Sequence, residues 1–255
     1  ENILLNVGMM IEEFLDYLRY ERNRSPLTVK NYGDDLRAFY VFFKSLDDHL
    51  SWQSVDADIV RDWMESMMDK GNNATSVNRR LSALRSFYRF ALSRHLVDRD
   101  PAHNIEGPKT NKPLPQFLKE SEMNRLLDDM EWGNSFNNVR ARTIIIVFYE
   151  TGIRLSELIG LDDVSIDMET CEIKVTGKGD KQRVVPFGSE MLSALKDYVA
   201  VRDSSVIRNC EAFFVTDKGT RMRPDTVRAE VSRCLSAVST LKKKSPHVLR
   251  HTFAT

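Results

Sequence analysis

Four basic side chains in the second half of the chain could together hold a phosphate group and move its protons. Arg154 comes two residues after a glycine, Lys178 lies between two glycines, and His247 and Arg250 stand three residues apart. The planar fork of arginine binds two phosphate oxygens and keeps its charge, whereas lysine or histidine can protonate a leaving alkoxide. The sequence therefore predicts phosphodiester chemistry if these residues converge. Taken singly, each is more typical of a solvated turn, a helix end or a cap.

Two predicted helices carry three of these residues. A helix is expected from Leu155, and the carboxylate of Glu157, three residues after Arg154, can orient the guanidinium. The Ser-Pro pair directly before His247 is typical of a helix start. His247 and Arg250 then share one face of that helix and can reach the same target.

Lys178 is predicted to lie at the tip of a β-hairpin. Residues 171–175 alternate between apolar and polar side chains, residues 177–180 include two glycines, and residues 184–186 (V-V-P) follow Arg183 as the return strand. Alternation with a period of two around a glycine-containing turn is typical of a hairpin. Such a hairpin would bring Lys178 to the site on an element separate from the two helices.

The elements on either side of a proline-rich stretch differ in kind. Before it, apolar stripes of helical period predict helices, the fourth of them capped by Thr75 or Ser76. After it, a helix capped by Ser121, further helices and the hairpin indicate a mixed domain. The sequence thus predicts a mainly α protein with a small β-hairpin. The predicted parts are a helical domain at 1–105, a linker at 106–116 and a mixed α+β domain at 117–255.

The charges are balanced overall but unevenly distributed. The 37 basic and 37 acidic residues sum to zero, which alone argues against a nucleic-acid partner. Residues 218–251, however, hold nine Lys or Arg against two acidic residues, and residues 79–94 hold five arginines and no acid. These patches predict two surfaces for nucleic acid, although either could be an ordinary solvated face. The predicted contacts in these patches are Arg79, Arg80, Arg85, Arg89, Lys242, Lys243 and Lys244, and the hairpin adds Lys181 and Arg183.

Length and composition narrow the class of protein further. The 255 residues suffice for one large or two ordinary domains. We expect no membrane span and no secretory signal, because no apolar run is long enough and no basic segment precedes one. The three cysteines form no C-x-x-C pair, which fits a reducing cytoplasm without disulfides or a zinc knuckle.

Five segments resemble the tyrosine site-specific recombinases, and most closely the Xer type. T-G-I-R-L-S-E-L (151–158) is similar to the first arginine motif of that family, and T-G-K-G-D-K-Q-R-V-V-P (176–186) to its hairpin lysine motif. H-V-L-R-H-T-F-A-T (247–255) is similar to its His-x-x-Arg motif. The N-terminal half resembles it in S-P-L-T-V-K-N-Y (25–32) and R-D-P-A-H-N-I-E-G-P-K (99–109).

The resemblance implies a C-shaped clamp on double-stranded DNA, with a helical, SAM-like core-binding domain and a catalytic domain on opposite faces. It implies strand cleavage and rejoining through a 3′-phosphotyrosyl intermediate, without metal or cofactor. It also implies a tetramer on paired DNA sites, with or without a second recombinase as partner.

Residue by residue, the resemblance gives the basic side chains separate roles. Arg154 and Arg250 would bind oxygens of the scissile phosphate, and Glu157 would support Arg154. Lys178 would protonate the leaving 5′ oxygen, and His247 would assist proton transfer.

The sequence departs from the family in its tyrosines. The family's nucleophilic tyrosine follows the His-x-x-Arg motif, whereas all seven tyrosines here precede it. We therefore expect a truncated sequence that binds DNA without forming the covalent intermediate.

Three other functions fit parts of the sequence. A recombinase relative that binds DNA without cutting it would keep the motifs, and a type IB topoisomerase shares the basic chemistry. His247 and His251 have the spacing of zinc ligands, but Val248 stands where a zinc hydrolase of that pattern needs glutamate. The recombinase resemblance instead gives His251 a structural role.

Overall fold

The computed structural model of the chain describes residues 2–110, 116–177 and 179–253, with side chains from residue 9 onward. Lys178 and residues 111–115 of the predicted linker lie outside the described residues. The chain divides into two compact units, Glu1–Lys112 and Pro113–Thr255, and each unit has its own hydrophobic core. The prediction of a mainly helical protein with a small antiparallel sheet is confirmed. Within the described residues, no helix combines the length and the apolar content that a membrane crossing requires.

The first unit is helical around an aromatic core. Phe39, Trp52 and Phe87 are buried, and the Trp52 and Phe87 ring centroids are 4.4 Å apart. Ser25 caps the second helix by accepting a hydrogen bond from the Thr28 N–H. The helices are α1 (Asn2–Asp16), α2 (Pro26–Leu46), α3 (Ala57–Asp69) and α4 (Ala74–Ser93), and a π-helical turn (Tyr17–Glu21) follows α1.

Helix α4 begins earlier than the sequence pattern predicts. The Asn73 side chain accepts a hydrogen bond from the Ser76 N–H at 2.9 Å, so Asn73 is the cap and the prediction of Thr75 or Ser76 was wrong. All three residue types suit a cap, and the extended backbone of Asn73 decides between them.

The second unit is built around one buried helix. Its residues Ile144–Phe148 are fully buried, because the helix packs against three others in the unit. The helices are α5 (Glu120–Asn124), α6 (Phe136–Thr151), α7 (Leu155–Ile159), α8 (Ser189–Ser205), α9 (Pro224–Val238) and α10 (Pro246–Phe253). The buried helix is α6, and its neighbours are α8, α9 and α10. Helix α5 follows Lys119 as its cap residue, so the prediction that Ser121 caps it was wrong.

The sheet of the second unit contains the predicted hairpin and one further strand. Strands β1 (Ile166–Asp167), β2 (Glu172–Thr176) and β3 (Gln182–Pro186) pair antiparallel in that order. In β2, Ile173 and Val175 face the core while their neighbours are exposed, which accounts for the alternation in the sequence.

Candidate active site

The turn between α6 and α7 positions Arg154. Gly152 has a φ of 56°, a left-handed conformation that suits glycine, and its N–H donates to the Phe148 carbonyl to end α6. Ile153 is buried beside the turn and Arg154 becomes the residue that precedes the first turn of α7. The Arg154 side chain remains 52% exposed, so its guanidinium faces solvent at the start of a fixed helix.

A buried carboxylate lies beside Arg154. The Glu157 side chain has no exposed surface, and its oxygens accept hydrogen bonds from the Arg154 N–H at 2.7 Å and from Arg154 Nη1 at 2.8 Å. Arg183 of β3 donates to the same carboxylate through Nη1 at 2.7 Å and Nη2 at 2.9 Å. Four hydrogen bonds thus compensate the buried charge.

The ionisation of Glu157 follows from these contacts. Burial raises the pKa of the carboxyl, but hydrogen bonds from Arg183 and from the Arg154 main chain and side chain outweigh burial and lower the pKa to about 2. Its usual value is 4.5. Glu157 is therefore an anion at neutral pH, and it holds both arginines by charge-assisted hydrogen bonds.

We expect Glu157→Gln to lose a pH-dependent part of the stability. A carboxyl whose pKa falls from 4.5 to about 2 on folding stabilises the folded state by roughly 3 kcal/mol. The folded pKa is the lower one, so this stability is present above about pH 4.5 and disappears as the pH falls towards 2. Urea unfolding should show a difference in the free energy of unfolding between the unmodified protein and Glu157→Gln at neutral pH, and this difference should disappear in acid. A difference that is independent of pH would contradict the ionised pair.

Arg250 approaches the same turn from α10. Its Nη1 donates a hydrogen bond to the carbonyl oxygen of Gly152, and α10 packs along α6. Phe253, one turn further on, lies so close that a Cβ atom on Gly152 would be 2.5 Å from its ring. Gly152 thus provides the left-handed turn and leaves room for Phe253.

The turn between α6 and α7, strand β3 and helix α10 line an open pocket of about 420 Å³. Three of the side chains that line it are arginines, and the carboxylate that holds two of them is buried behind the surface. Guanidinium groups on an open pocket wall suit an anion with several oxygens, such as a phosphate. The lining residues are Thr151, Gly152, Arg154, Arg183, Arg250 and Phe253.

The base of the hairpin also lies against this site. A Cβ atom on Gly177 would be 3.2 Å from Glu157 Oε1 and 3.8 Å from Arg154 Nη1. The Gly177 N–H donates to the carbonyl oxygen of Lys181 at 2.8 Å, which closes the hairpin loop. Lys178 follows Gly177 directly in the chain but lies outside the described residues.

The other predicted residues of the second unit are not among the described residues that line the pocket. His247 and His251 are exposed on α10, and neither is among the described residues that line the pocket. Lys181 is exposed in the hairpin loop. Lys242 and Lys243 are exposed and Lys244 is half-buried in the segment between α9 and α10.

The four predicted arginines of α4 have different environments. Arg79 donates to the buried carboxylate of Asp35 in α2, and Arg80 lies 3.6 Å from the same carboxylate. Arg85 donates to the carbonyl oxygens of residues 102 and 105. Arg89 is exposed. The sequence pattern missed the Asp35 contacts because the partners lie on separate helices.

Two family models match the chain. The Phage integrase family matches residues 116–255, and the N-terminal SAM-like domain of phage integrases matches residues 11–95. The tyrosine recombinase XerC of Chlorobaculum tepidum is 35% identical over 95% of this chain and 80% of its own length. The tyrosine recombinase XerC of Escherichia coli O157:H7 is 37% identical over 96% of this chain and 81% of its own length.

Solved structures have the same fold. The Tn1549 transposon integrase in complex with a circular intermediate DNA has a TM-score of 0.75 at 17% identity, covering 96% of this chain and 85% of that one. The XerH site-specific recombinase bound to a palindromic difH substrate has a TM-score of 0.73 at 21% identity, covering 96% of this chain and 72% of that one. Both domain models and relatives above 30% identity cover this protein, which therefore belongs to the phage integrase family and is a tyrosine recombinase.

Proposed function

We propose that the protein recombines double-stranded DNA at specific sites and that its pocket binds the scissile phosphate. The observation that carries this proposal is the convergence of Arg154 and Arg250, from elements almost a hundred residues apart, on one open pocket. The two guanidinium groups would bind the non-bridging phosphate oxygens and neutralise the charge that builds up on them in the transition state. The second unit is then the catalytic domain, and the first unit is a DNA-binding domain.

The chemistry we propose balances without a cofactor. A tyrosine hydroxyl attacks phosphorus, the bond to the 5′ oxygen breaks, and a 3′-phosphotyrosyl bond forms. Lys178 gives the leaving 5′ oxygen its proton, and His247 assists proton transfer by accepting the proton of the tyrosine hydroxyl. Both proton transfers run in reverse in the second step. The 5′ hydroxyl of a second strand then attacks phosphorus and releases the tyrosine, so one phosphodiester is exchanged for another.

The nucleophile is the part of this chemistry that the described lining of the pocket does not provide. All seven tyrosines precede His247 in the sequence, and none belongs to the described lining. We propose that a polypeptide of these residues binds DNA and does not become covalently attached to it. Covalent trapping by the full native reading frame separates a recombinase from a relative that only binds.

The proposed partner is duplex DNA, as in the DNA complexes of XerH and the Tn1549 integrase. Exchange between two duplexes requires four strand cleavages, which four subunits on paired sites would perform. The second pair of subunits could be a different recombinase. Because the substrate is DNA, we place this activity in the cytoplasm.

We expect DNA binding by residues 1–255 to depend strongly on salt. Phosphate contacts release counterions, so six contacts would lower the affinity by about 10³-fold between roughly 50 and 200 mM salt. Fluorescence anisotropy with a labelled duplex measures the affinity at several salt concentrations, and the slope is that of log affinity against log salt concentration. Arg89→Ala should lower the slope by about 0.9. Arg61→Ala, an exposed arginine paired with Asp58 on α3, is the matched control. An affinity that is insensitive to salt would contradict the proposal.

A further inference from the structure

Arg183 shares one carboxylate with Arg154. Glu157 Oε1 accepts from Arg183 Nη1 at 2.7 Å and from Arg154 Nη1 at 2.8 Å. Glu157 Oε2 accepts from Arg183 Nη2 at 2.9 Å and from the Arg154 N–H at 2.7 Å. Each oxygen therefore has one donor from each arginine. The Arg183 fork is bidentate, which fixes the plane of the carboxylate as well as its position.

The burial of Glu157 makes this arrangement sensitive to Arg183. The carboxylate has no exposed surface, whereas the Arg183 and Arg154 side chains are 41% and 52% exposed. Loss of Arg183 removes two of the four hydrogen bonds to this buried charge, which destabilises the charge. A carboxylate that shifts in response would move the Arg154 guanidinium that it holds.

Arg183 also connects the hairpin to α7. Arg183 lies on β3 opposite Val175 of β2. Val175 comes two residues before Gly177. Gly177 approaches Glu157 closely, and its N–H is bonded to the carbonyl of Lys181. The Arg183–Glu157 contact thus fastens the base of the loop that carries Lys178 to the helix that follows Arg154.

We infer that Arg183 is a positioning residue of the proposed active site, which through Glu157 holds Arg154 and the hairpin in one arrangement. This inference rests on the proposed function, because it concerns the placement of groups that act on the scissile phosphate. The sequence predicts Arg183 as a DNA contact, which is a different role from positioning. The two roles differ in what they change: positioning affects the rate of cleavage, and a phosphate contact affects affinity and its salt dependence.

The test uses the full-length protein and its Arg183→Gln, Arg183→Lys, Glu157→Gln and Arg183→Gln/Glu157→Gln variants. Single-turnover cleavage of a nicked suicide substrate is measured at saturating DNA, beside affinity at several salt concentrations and thermal unfolding. We expect Arg183→Gln to slow cleavage by at least about tenfold while affinity stays within about twofold and the salt slope is unchanged. Arg183→Lys keeps the charge but loses the fork, so cleavage should be partly restored.

The double variant distinguishes a shared role from independent ones. Because both residues act through one contact, the double variant should be no slower than the slower single variant. Rate effects that multiply in the double variant would overturn the inference. A salt slope lowered by about 0.9 in Arg183→Gln would also overturn it and would make Arg183 a phosphate contact. If Arg183→Gln proves too unstable to assay, Arg183→Lys decides by the cleavage rate alone. Lysine keeps the charge, so a phosphate contact predicts a normal rate at saturating DNA, which would overturn the inference, whereas a positioning residue predicts a slower rate. Failure of the unmodified protein to cleave would instead refute the proposed function.

Discussion

Arg154→Ala is expected to abolish covalent trapping of DNA by the full-length protein while most of the DNA affinity remains. The guanidinium stands half-exposed in the pocket wall, and Glu157 fixes it before substrate arrives. Loss of one preorganised donor to a transition-state oxyanion commonly costs about 10² to 10³ in rate, and we expect at least that effect here because a charge is lost as well. The measurement is the fraction of a suicide substrate that becomes attached to protein and is retarded in a denaturing gel.

Two controls make the Arg154 result specific. Arg61→Ala removes an exposed arginine of the first unit and should trap DNA normally. Arg154→Lys keeps the charge without the planar fork, so it should be intermediate. Undiminished trapping by Arg154→Ala would exclude this residue from the active site.

Arg250→Ala is expected to lose covalent trapping of DNA to a similar extent. Arg250 reaches the pocket from α10, and its hydrogen bond to the Gly152 carbonyl fixes it at the turn that presents Arg154. If the two arginines act on one phosphate, the double variant should be little worse than either single variant, because residues of one catalytic unit are not additive. Single-turnover rates of the three proteins test this expectation.

Folding must be separated from catalysis in the Arg250 variant. Removal of the Arg250 side chain leaves the Gly152 carbonyl without the hydrogen bond from Nη1, so some stability should be lost. Thermal unfolding and DNA affinity, measured beside the rate, show whether the variant is folded. A folded Arg250→Ala protein that cleaves at the normal rate would remove Arg250 from the site.

Local patterns predicted the elements better than they predicted the contacts between them. The start of α10 at Pro246 and the β2–β3 hairpin follow from short-range chemistry, namely a Ser-Pro helix start and alternation. Strand β1 has only two residues, too few to show a period. The cap of α4 was misassigned because several suitable residues are adjacent and only the backbone chooses among them.

In the candidate site, too, contacts between neighbours in the sequence were predictable and contacts between distant residues were not. Glu157 lies three residues from Arg154, a spacing that already suggests a contact. Arg183 lies 26 residues from Glu157, and only the packing of the hairpin on α7 brings them together. The sequence therefore predicts Arg183 as a DNA contact and gives no sign of its contact with Glu157. Asp35 and Arg79, separated by 44 residues, were missed for the same reason.

The most direct test of the shared phosphate site changes the phosphate instead of the protein. Full-length protein, Arg154→Ala and Arg250→Ala would be compared on a normal substrate and on one with a methylphosphonate at the scissile position, which lacks one negative charge. If the arginines neutralise that phosphate, a defect of about 10³-fold on the normal substrate should shrink to about tenfold or less on the methylphosphonate. Equal defects on both substrates would contradict the assignment of the pocket as the scissile-phosphate site.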